Sequence, residues 1–333
     1  MDFSLIVPCY NEEGNIEAFL REAARVFDAQ EFSYEIVVVD DGSSDATMAV
    51  LRRLRDGGLR SRGDIRVVSF SRNFGKEAAL YAGLEAARGE CMGFIDADLQ
   101  QRPETSLEMY RYLLSDPDCD CVAAIQRERK ESALLKFFKG CFYRMFNMMS
   151  ETDIVANASD FRVFRRIVAE ALLSMRESYR FSKGLFSWVG FHVHTIEYEP
   201  DARLSGSSSW SFSKLMRYGV GGILSFSTLP LRAVFWVGLV AAVAAIVYLV
   251  VVLVETLTVG NAPSGYPTLV CLVLLFGGIV LLSLGIFGDY LGRIYVEGKN
   301  RPVYIARESF EIGDAPLAAT PRGADGSPTG EGE

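Results

Sequence analysis

The sequence predicts an α/β fold built on a mostly parallel sheet with helices on both faces, followed by an all-α pair of membrane helices. Three observations predict it. Strand-like apolar runs at residues 4–7, 35–39, 65–69, 91–95 and 121–125 alternate with helical patterns at 15–29, 45–56, 76–88 and 103–114, as in strands joined by crossover helices. Polar clusters at 8–12, 40–45, 71–73 and 96–98 follow the first four strands. All four fall beyond the carboxyl ends of the strands, the edge where such sheets bind ligands. Residues 233–254 and 266–288 are two uncharged runs, each longer than the roughly 20 residues that cross a hydrocarbon core as a helix.

Composition narrows the function classes. At 333 residues, 50% of them hydrophobic, the chain has room for one large domain and an appendage. A net charge of −8 argues against a general nucleic-acid binder. The 6 cysteines form no disulfide framework and no C-x-x-C pair, so they read as reduced and mostly buried. His192 and His194 alternate on a strand-like stretch at 191–198 without a ligand cluster, which sets aside zinc chemistry and a Ser-His-Asp triad. The apolar run at 3–7 is too short for the h-region of a cleavable signal peptide, so the N-terminal domain is expected in the cytoplasm. Neither a Walker-type loop nor G-x-G-x-x-G is present, and bound phosphates would need a metal.

Residues 91–103, CMGFIDADLQQRP, carry the chemistry. Side chains at i and i+2 of an extended chain share a face, so Asp96 and Asp98 can converge on one hard cation, with the Gln100 amide oxygen as a third ligand. Taken alone, the stretch also fits an acidic surface turn; its company on the edge favours the cation. A divalent ion there would neutralise a diphosphate and stabilise it as a leaving group. Asp40 or Asp41 could accept hydrogen bonds from a base or ribose, and Asp45 is placed to cap the helix it opens.

The motifs VPCYNEEGNI, VVVDDGSSDAT, SFSRNFGKEAALYAGLEAARGE, FIDADLQ, SDFRVF and GRIYVEGKNRPVYI together resemble the polyprenyl-phosphate glycosyltransferases, relatives of dolichyl-phosphate mannose synthase within glycosyltransferase family 2. The resemblance covers about residues 3–307 and is strongest to the bacterial branch with two C-terminal transmembrane helices, which moves glucose from UDP-glucose to undecaprenyl phosphate. It implies a GT-A fold, an inverting reaction and a homo-oligomer, of which a tetramer is one form. It also implies that Pro8, Tyr10, Glu12 and Asp40 line the nucleoside pocket, that Asp96, Asp98 and Gln100 hold Mg²⁺ or Mn²⁺, and that Asp160 faces the donor sugar and acceptor; Asp41 stays a substrate-binding candidate from its place on the edge. By the same carry-over Asp98, Asp160 and Arg203 are catalytic. The sequence departs from the family pattern at Gln101-Arg102 before Pro103 and at Ser159 before Asp160. The family's arginine pair is displaced, so either Arg127 or Arg129 takes the phosphate-binding role.

The segment 132–149 interleaves Lys136, Lys139 and Arg144 with aromatic residues and methionines. That suits a helix at a membrane surface, with an amphipathic helix docked on the sheet as the alternative. Residues 203–208, ending at Ser208, resemble the family's R-x-x-G-x-S phosphate loop; without the resemblance they read as a flexible linker. The link 255–265 lacks Lys and Arg, whereas Lys214, Arg217 and Arg232 precede the membrane runs and Arg293, Lys299, Arg301 and Arg307 follow them. Both ends of the pair are therefore expected in the cytoplasm. The expected organisation is a GT-A domain at 1–209, a juxtamembrane segment at 210–232, two membrane helices within 233–290, a cytoplasmic segment at 291–310 and a disordered tail at 311–333. The expected function is transfer of a hexose to a polyprenyl phosphate at the inner (plasma) membrane. GDP-mannose or a UDP-amino sugar is the alternative donor, and a nucleotide-sugar-binding scaffold without turnover is the alternative class.

Overall fold

The computed structural model describes residues 1–126, 158–177, 179–199 and 265–312, and between them 234, 236–241 and further helical positions up to 258. The described elements are β1 (Phe3–Cys9), α1 (Ile16–Asp28), β2 (Tyr34–Asp40), α2 (Thr47–Arg53), β3 (Asp64–Phe70), α3 (Lys76–Ala86), β4 (Cys91–Phe94), α4 (Pro103–Ser115) and β5 (Cys121–Gln126). After them come β6 (Ala158–Arg165), α5 (Arg166–Ser174), α6 (Ser182–Trp188), β7 (Val193–Tyr198), α7 (Tyr266–Glu297) and β8 (Ala306–Ile312). Cys9, Cys91, Cys119 and Cys121 are free and buried, in line with the sequence.

β1 and β2 are buried along their whole length, as central strands covered on both faces must be. Alternation along each strand divides their side chains between two cores. Phe3, Leu5 and Val7 join Ile36 and Val38 under α1 and α4, while Ile6 joins Val37 and Val39 under α3, α5 and α6. Helix α1 turns Ile16, Phe19, Leu20, Ala23 and Phe27 inward at helical spacing. Helix α3 is buried continuously from Ala78 to Leu84, and a Cβ on Gly83 would stand 2.2 Å from Ile6 Cγ2. Only glycine lets α3 lie that close to β1.

The sheet has 8 strands in the order β7-β5-β6-β4-β1-β2-β3-β8. β1 pairs in parallel with β2 and β4, β2 with β3, and β5 with β7. β6 is antiparallel to both β4 and β5, and β8 is antiparallel to β3. The expected mostly parallel sheet is thus corrected to a mixed one. The reason is that a period-2 side-chain pattern, such as that of ASDFRVFR, is the same in either strand direction.

A second correction concerns the C-terminal segment, where a boundary at residue 310 cuts through β8. Phe310 and Ile312 are buried in the core, and Glu311 lies 3.4 Å from Arg66 on β3. Just before β8, Tyr304 stacks on Phe70 at 4.8 Å and donates a hydrogen bond to Glu85 at 2.8 Å. A chain cut near Ser209 therefore lacks an edge strand of the sheet and exposes the backbone donors and acceptors of β3.

Helix α7 continues past the predicted end at Gly288 to Glu297. Its stretch Leu275–Glu297, with mean hydropathy 1.7 and none of it buried, is the one helix among the described residues long and apolar enough to cross a membrane. Arg293, near its end, stacks over the Tyr179 ring at 4.9 Å. A cavity of about 590 Å³ lies between α3 and the foot of α7, bordered by Glu85, Arg176, Glu297 and Arg301, and no sequence-predicted site residue lines it. Of the first predicted membrane run, 233–254, 14 positions are described and all of them are helical, whereas 210–232 and the tail from 313 lie outside the described residues.

Candidate active site

Because β1, β2, β3 and β4 run parallel, the loops that leave them gather on one edge. Asp40, at the end of β2, is buried; it accepts the Ser69 hydroxyl at 2.8 Å and the Ser43 N–H at 3.2 Å. Glu12 donates its N–H to Thr47 Oγ1 at 2.9 Å and accepts from the Asn15 amide at 2.7 Å. Asp45 accepts the Thr47 N–H in a turn just ahead of α2, whose N-cap is Ala46 without a side-chain cap, so the expected cap is corrected to a turn one residue earlier. Pro8 is buried inside β1 opposite Val39, whereas Tyr10 emerges beyond the strand end, 45% exposed.

Asp41 has a structural task on this edge. Its Oδ1 accepts the Phe74 N–H at 2.6 Å and its Oδ2 the Gly75 N–H at 2.9 Å, so the carboxylate is committed to the loop that starts α3. Burial pushes its pKa up, only partly offset by those two amides. Its neighbour Gly42 has φ of +67°, and a Cβ there would meet the Arg72 backbone at 2.4 Å. The β2 and β3 loops can close together only over glycine. Asn11 and Leu99 also hold positive φ, 56° and 58°. Asn tolerates that region through local hydrogen bonds, here to Ser43 and Ser44, while for Leu99 it is strain of about 1–2 kcal/mol placed directly after Asp98.

Phe94 of β4 is in register with Arg162 of β6, so two residues further on Asp96 and Asp160 come opposite one another. Lys76, the first residue of α3, closes the pair: its Nζ lies 2.6 Å from Asp96 Oδ1 and 3.3 Å from Asp160 Oδ2. Asp160 Oδ1 is buried without a hydrogen-bond partner. Burial opposes charge on Asp160, but Lys76, Lys183 and Arg162 outweigh it and hold the carboxyl below the usual range. The same two carboxylates raise the pKa of Lys76 against the cost of drawing its ammonium partly out of water; its side chain is still 43% exposed. Asp98 Oδ1 accepts the Gln100 N–H at 3.1 Å, and Gln101, buried at 6% exposure, accepts the Asp96 N–H at 2.9 Å.

In donor type this edge suits a hard divalent cation, although among the described residues no three Asp, Glu, His or Cys side chains already converge as a ligand group. Asp96, Asp98, Gln100 and the partnerless oxygen of Asp160 are oxygen ligands of the kind that Mg²⁺ and Mn²⁺ take. The rest of the edge is acidic as well. The buried Cys9 thiol is pushed well up by burial and then by Asp40, Glu12, Asp45 and Asp41 around it. A diphosphate approaching that field needs a cation between it and the carboxylates.

Two residues of this site were not singled out in the sequence, Lys76 and Gln101's role in shaping the Asp96 loop. Lys76 had a readable signal: a cation in the first turn of a helix opposes the helix dipole and calls for acidic partners nearby. Arg127, Arg129, Lys136, Arg203 and Ser208 lie outside the described residues.

A carboxylate-lined edge at the carboxyl ends of parallel strands, without a glycine-rich phosphate cradle, is the kind of edge on which a group transferase takes its donor. The chain belongs to glycosyl transferase family 2, whose match spans residues 4–173, from β1 through α5, and includes the whole carboxylate edge. The fold is accordingly a GT-A-like mixed sheet. The chain is 38% identical over 314 residues to the bactoprenol glucosyl transferase of Shigella phage SfII, covering 93% of this chain and 98% of the relative. It is 38% identical over 312 residues to the prophage bactoprenol glucosyl transferase homolog of Escherichia coli K12, covering 92% and 99%. Among solved structures it is similar to mannosyl-3-phosphoglycerate synthase from Rubrobacter xylanophilus, with TM-score 0.46 and 18% identity over 66% of this chain and 71% of that one.

Proposed function

We propose that the chain transfers glucose from UDP-glucose to undecaprenyl phosphate, or a polyprenyl phosphate of other length, with inversion at the anomeric carbon. The observation that carries this reading is the meeting of Asp96 and Asp160 on one ammonium at the carboxyl edge of the sheet, in a chain similar over nearly its whole length to bactoprenol glucosyl transferases. Asp96, Asp98 and Gln100 would hold Mg²⁺ or Mn²⁺. The ion would supply charge neutralisation of the departing nucleoside diphosphate. A lipid phosphate oxygen attacks C1 of the sugar while the bond from C1 to the diphosphate breaks. The phosphate monoester is already ionised at neutral pH, so it needs alignment more than deprotonation. Asp160, with its pKa held low, suits orientation of the reacting groups better than proton abstraction.

The basic residues Arg127, Arg129, Lys136 and Arg203, with Ser208, would draw the lipid phosphate and the diphosphate to the edge. The product would be a lipid-linked sugar donor for cell-envelope glycosylation. Assembly as a homo-oligomer belongs to the same proposal. The test is purified full-length protein in detergent with undecaprenyl phosphate and labelled UDP-glucose, GDP-mannose or a UDP-amino sugar in turn. Lipid-extractable label from UDP-glucose is expected to exceed the others. Preference for a soluble acceptor, or no transfer from any donor, would overturn the reading.

The same proposal places both termini in the cytoplasm and only the link 255–265 across a plasma membrane, because Lys and Arg flank the pair and avoid the link. In a background without other reactive thiols, Ser264→Cys should react with an impermeant maleimide added to intact cells or spheroplasts. Reaction only after lysis would contradict the hairpin.

A further inference from the structure

Lys76 stands where its surroundings would ordinarily exclude a cation. It opens α3, at the positive end of the helix dipole, yet its ammonium bridges Asp96 and Asp160. Its place is built by the loop before it. Asp41 fixes the Phe74 and Gly75 N–H groups, and Gly75, with φ of 101°, turns the chain into the helix, so residue 76 starts from a set position. On the next residue, Glu77 accepts the Ser182 N–H at 3.0 Å, which ties the first turn of α3 to α6. The side chains of Lys76 and Asp96 are nonetheless 43% and 36% exposed. They can part without opening the core.

We propose that Lys76 is an internal counter-cation, which holds the Asp96–Asp160 pair in the donor-free protein and releases Asp96 only to a divalent cation that arrives with a nucleoside diphosphate. Metal and donor then bind as one. The inference rests on the cation-assisted reading of the site above. A bare dication can reach Asp96 only by displacing an ammonium already paired with it at 2.6 Å, and it brings no anion to hold that ammonium in exchange. A dication already carrying a diphosphate brings no net positive charge, and its phosphate oxygens attract the ammonium in place of Asp96. Lys76 keeps its contact to Asp160 meanwhile, so the carboxylate that faces the sugar stays oriented. Lys76 is on this account a positioning residue for the ion.

The test measures Mn²⁺ binding by the paramagnetic resonance of the free ion, on detergent-purified full-length protein, with and without UDP. Wild type is expected to bind Mn²⁺ at least about tenfold more tightly with UDP than without it. Lys76→Met should tighten donor-free Mn²⁺ binding by at least about tenfold and shrink that ratio, while Lys76→Arg, which keeps the charge, should behave as wild type. Thermal melts establish that each variant is folded. Should Lys76→Met not fold, Lys76→Gln and the wild-type ratio decide. Equal affinity of wild type with and without UDP would overturn the inference, and so would a folded, uncharged variant that binds donor-free Mn²⁺ no more tightly than wild type. A protein that makes glucosyl lipid but binds bare Mn²⁺ tightly would sink this inference alone; one with coupled binding but no lipid product would sink the proposed function alone.

Discussion

Replacement of Asp98 by Asn should lower kcat by at least about a hundredfold while the thermal midpoint stays near that of wild type. Asp98 leaves the sheet just after β4, on a loop whose Leu99 is held at φ of 58° and whose Gln100 N–H hydrogen-bonds to the Asp98 carboxylate. An amide oxygen can still accept that N–H, so the loop keeps its shape. What is lost is a negative ligand for a hard cation, and with it neutralisation of the leaving diphosphate. Excess EDTA should abolish transfer by wild type, and added Mg²⁺ or Mn²⁺ should restore it. Initial rates of lipid-extractable label measure both effects; full activity in EDTA, or an Asp98→Asn rate within a few-fold of wild type, would refute a cation held at this edge.

Arg66→Ala should destabilise the catalytic domain by about 3–5 kcal/mol, the usual cost of leaving one partner of a buried ion pair alone. Glu35 is wholly buried in β2. It accepts the Ser4 hydroxyl at 2.6 Å and the Arg88 N–H, and the charge that answers it is Arg66 at 3.4 Å. Arg66 also faces Glu311 of β8 at 3.4 Å and donates to the Ala86 carbonyl. Its loss leaves Glu35 uncompensated and removes the charged contact that fastens β8 to β3. A fall in thermal midpoint of about 10 °C is expected for a domain of this size. The double change Arg66→Met with Glu35→Gln should recover much of it, because no buried charge then lacks a partner. An unchanged midpoint for Arg66→Ala would show that the pair does not support the fold.

Neither partner of Arg66 was visible beforehand, and the reason is general. Glu35 opens an apolar run and reads as a solvated strand end; its burial follows only from α3 and the Arg88 turn closing over it. Glu311 lies where the composition turns toward Gly, Pro, Ala and acid, which reads as tail. Its place in β8 depends on pairing with β3, more than 200 residues earlier in the chain.

The sequence by itself determined the succession of strands and helices from β1 to α4, because buried parallel strands are apolar without interruption and amphipathic helices repeat near 3.6 residues. It determined the reactive edge too, since the carboxyl ends of successive parallel strands must coincide, and with them Glu12, Asp40, Asp96 and Asp98. The tertiary structure alone decided four things. It set β6 antiparallel between β4 and β5, which brings Asp160 opposite Asp96, and it returned β8 to the sheet. It also made Asp41 the clamp of the loop that starts α3 and placed Lys76 between two carboxylates. Side-chain pattern records which faces of a strand are buried, whereas direction, partner and the sharing of a charge arise between segments far apart in the chain, where periodicity carries no information.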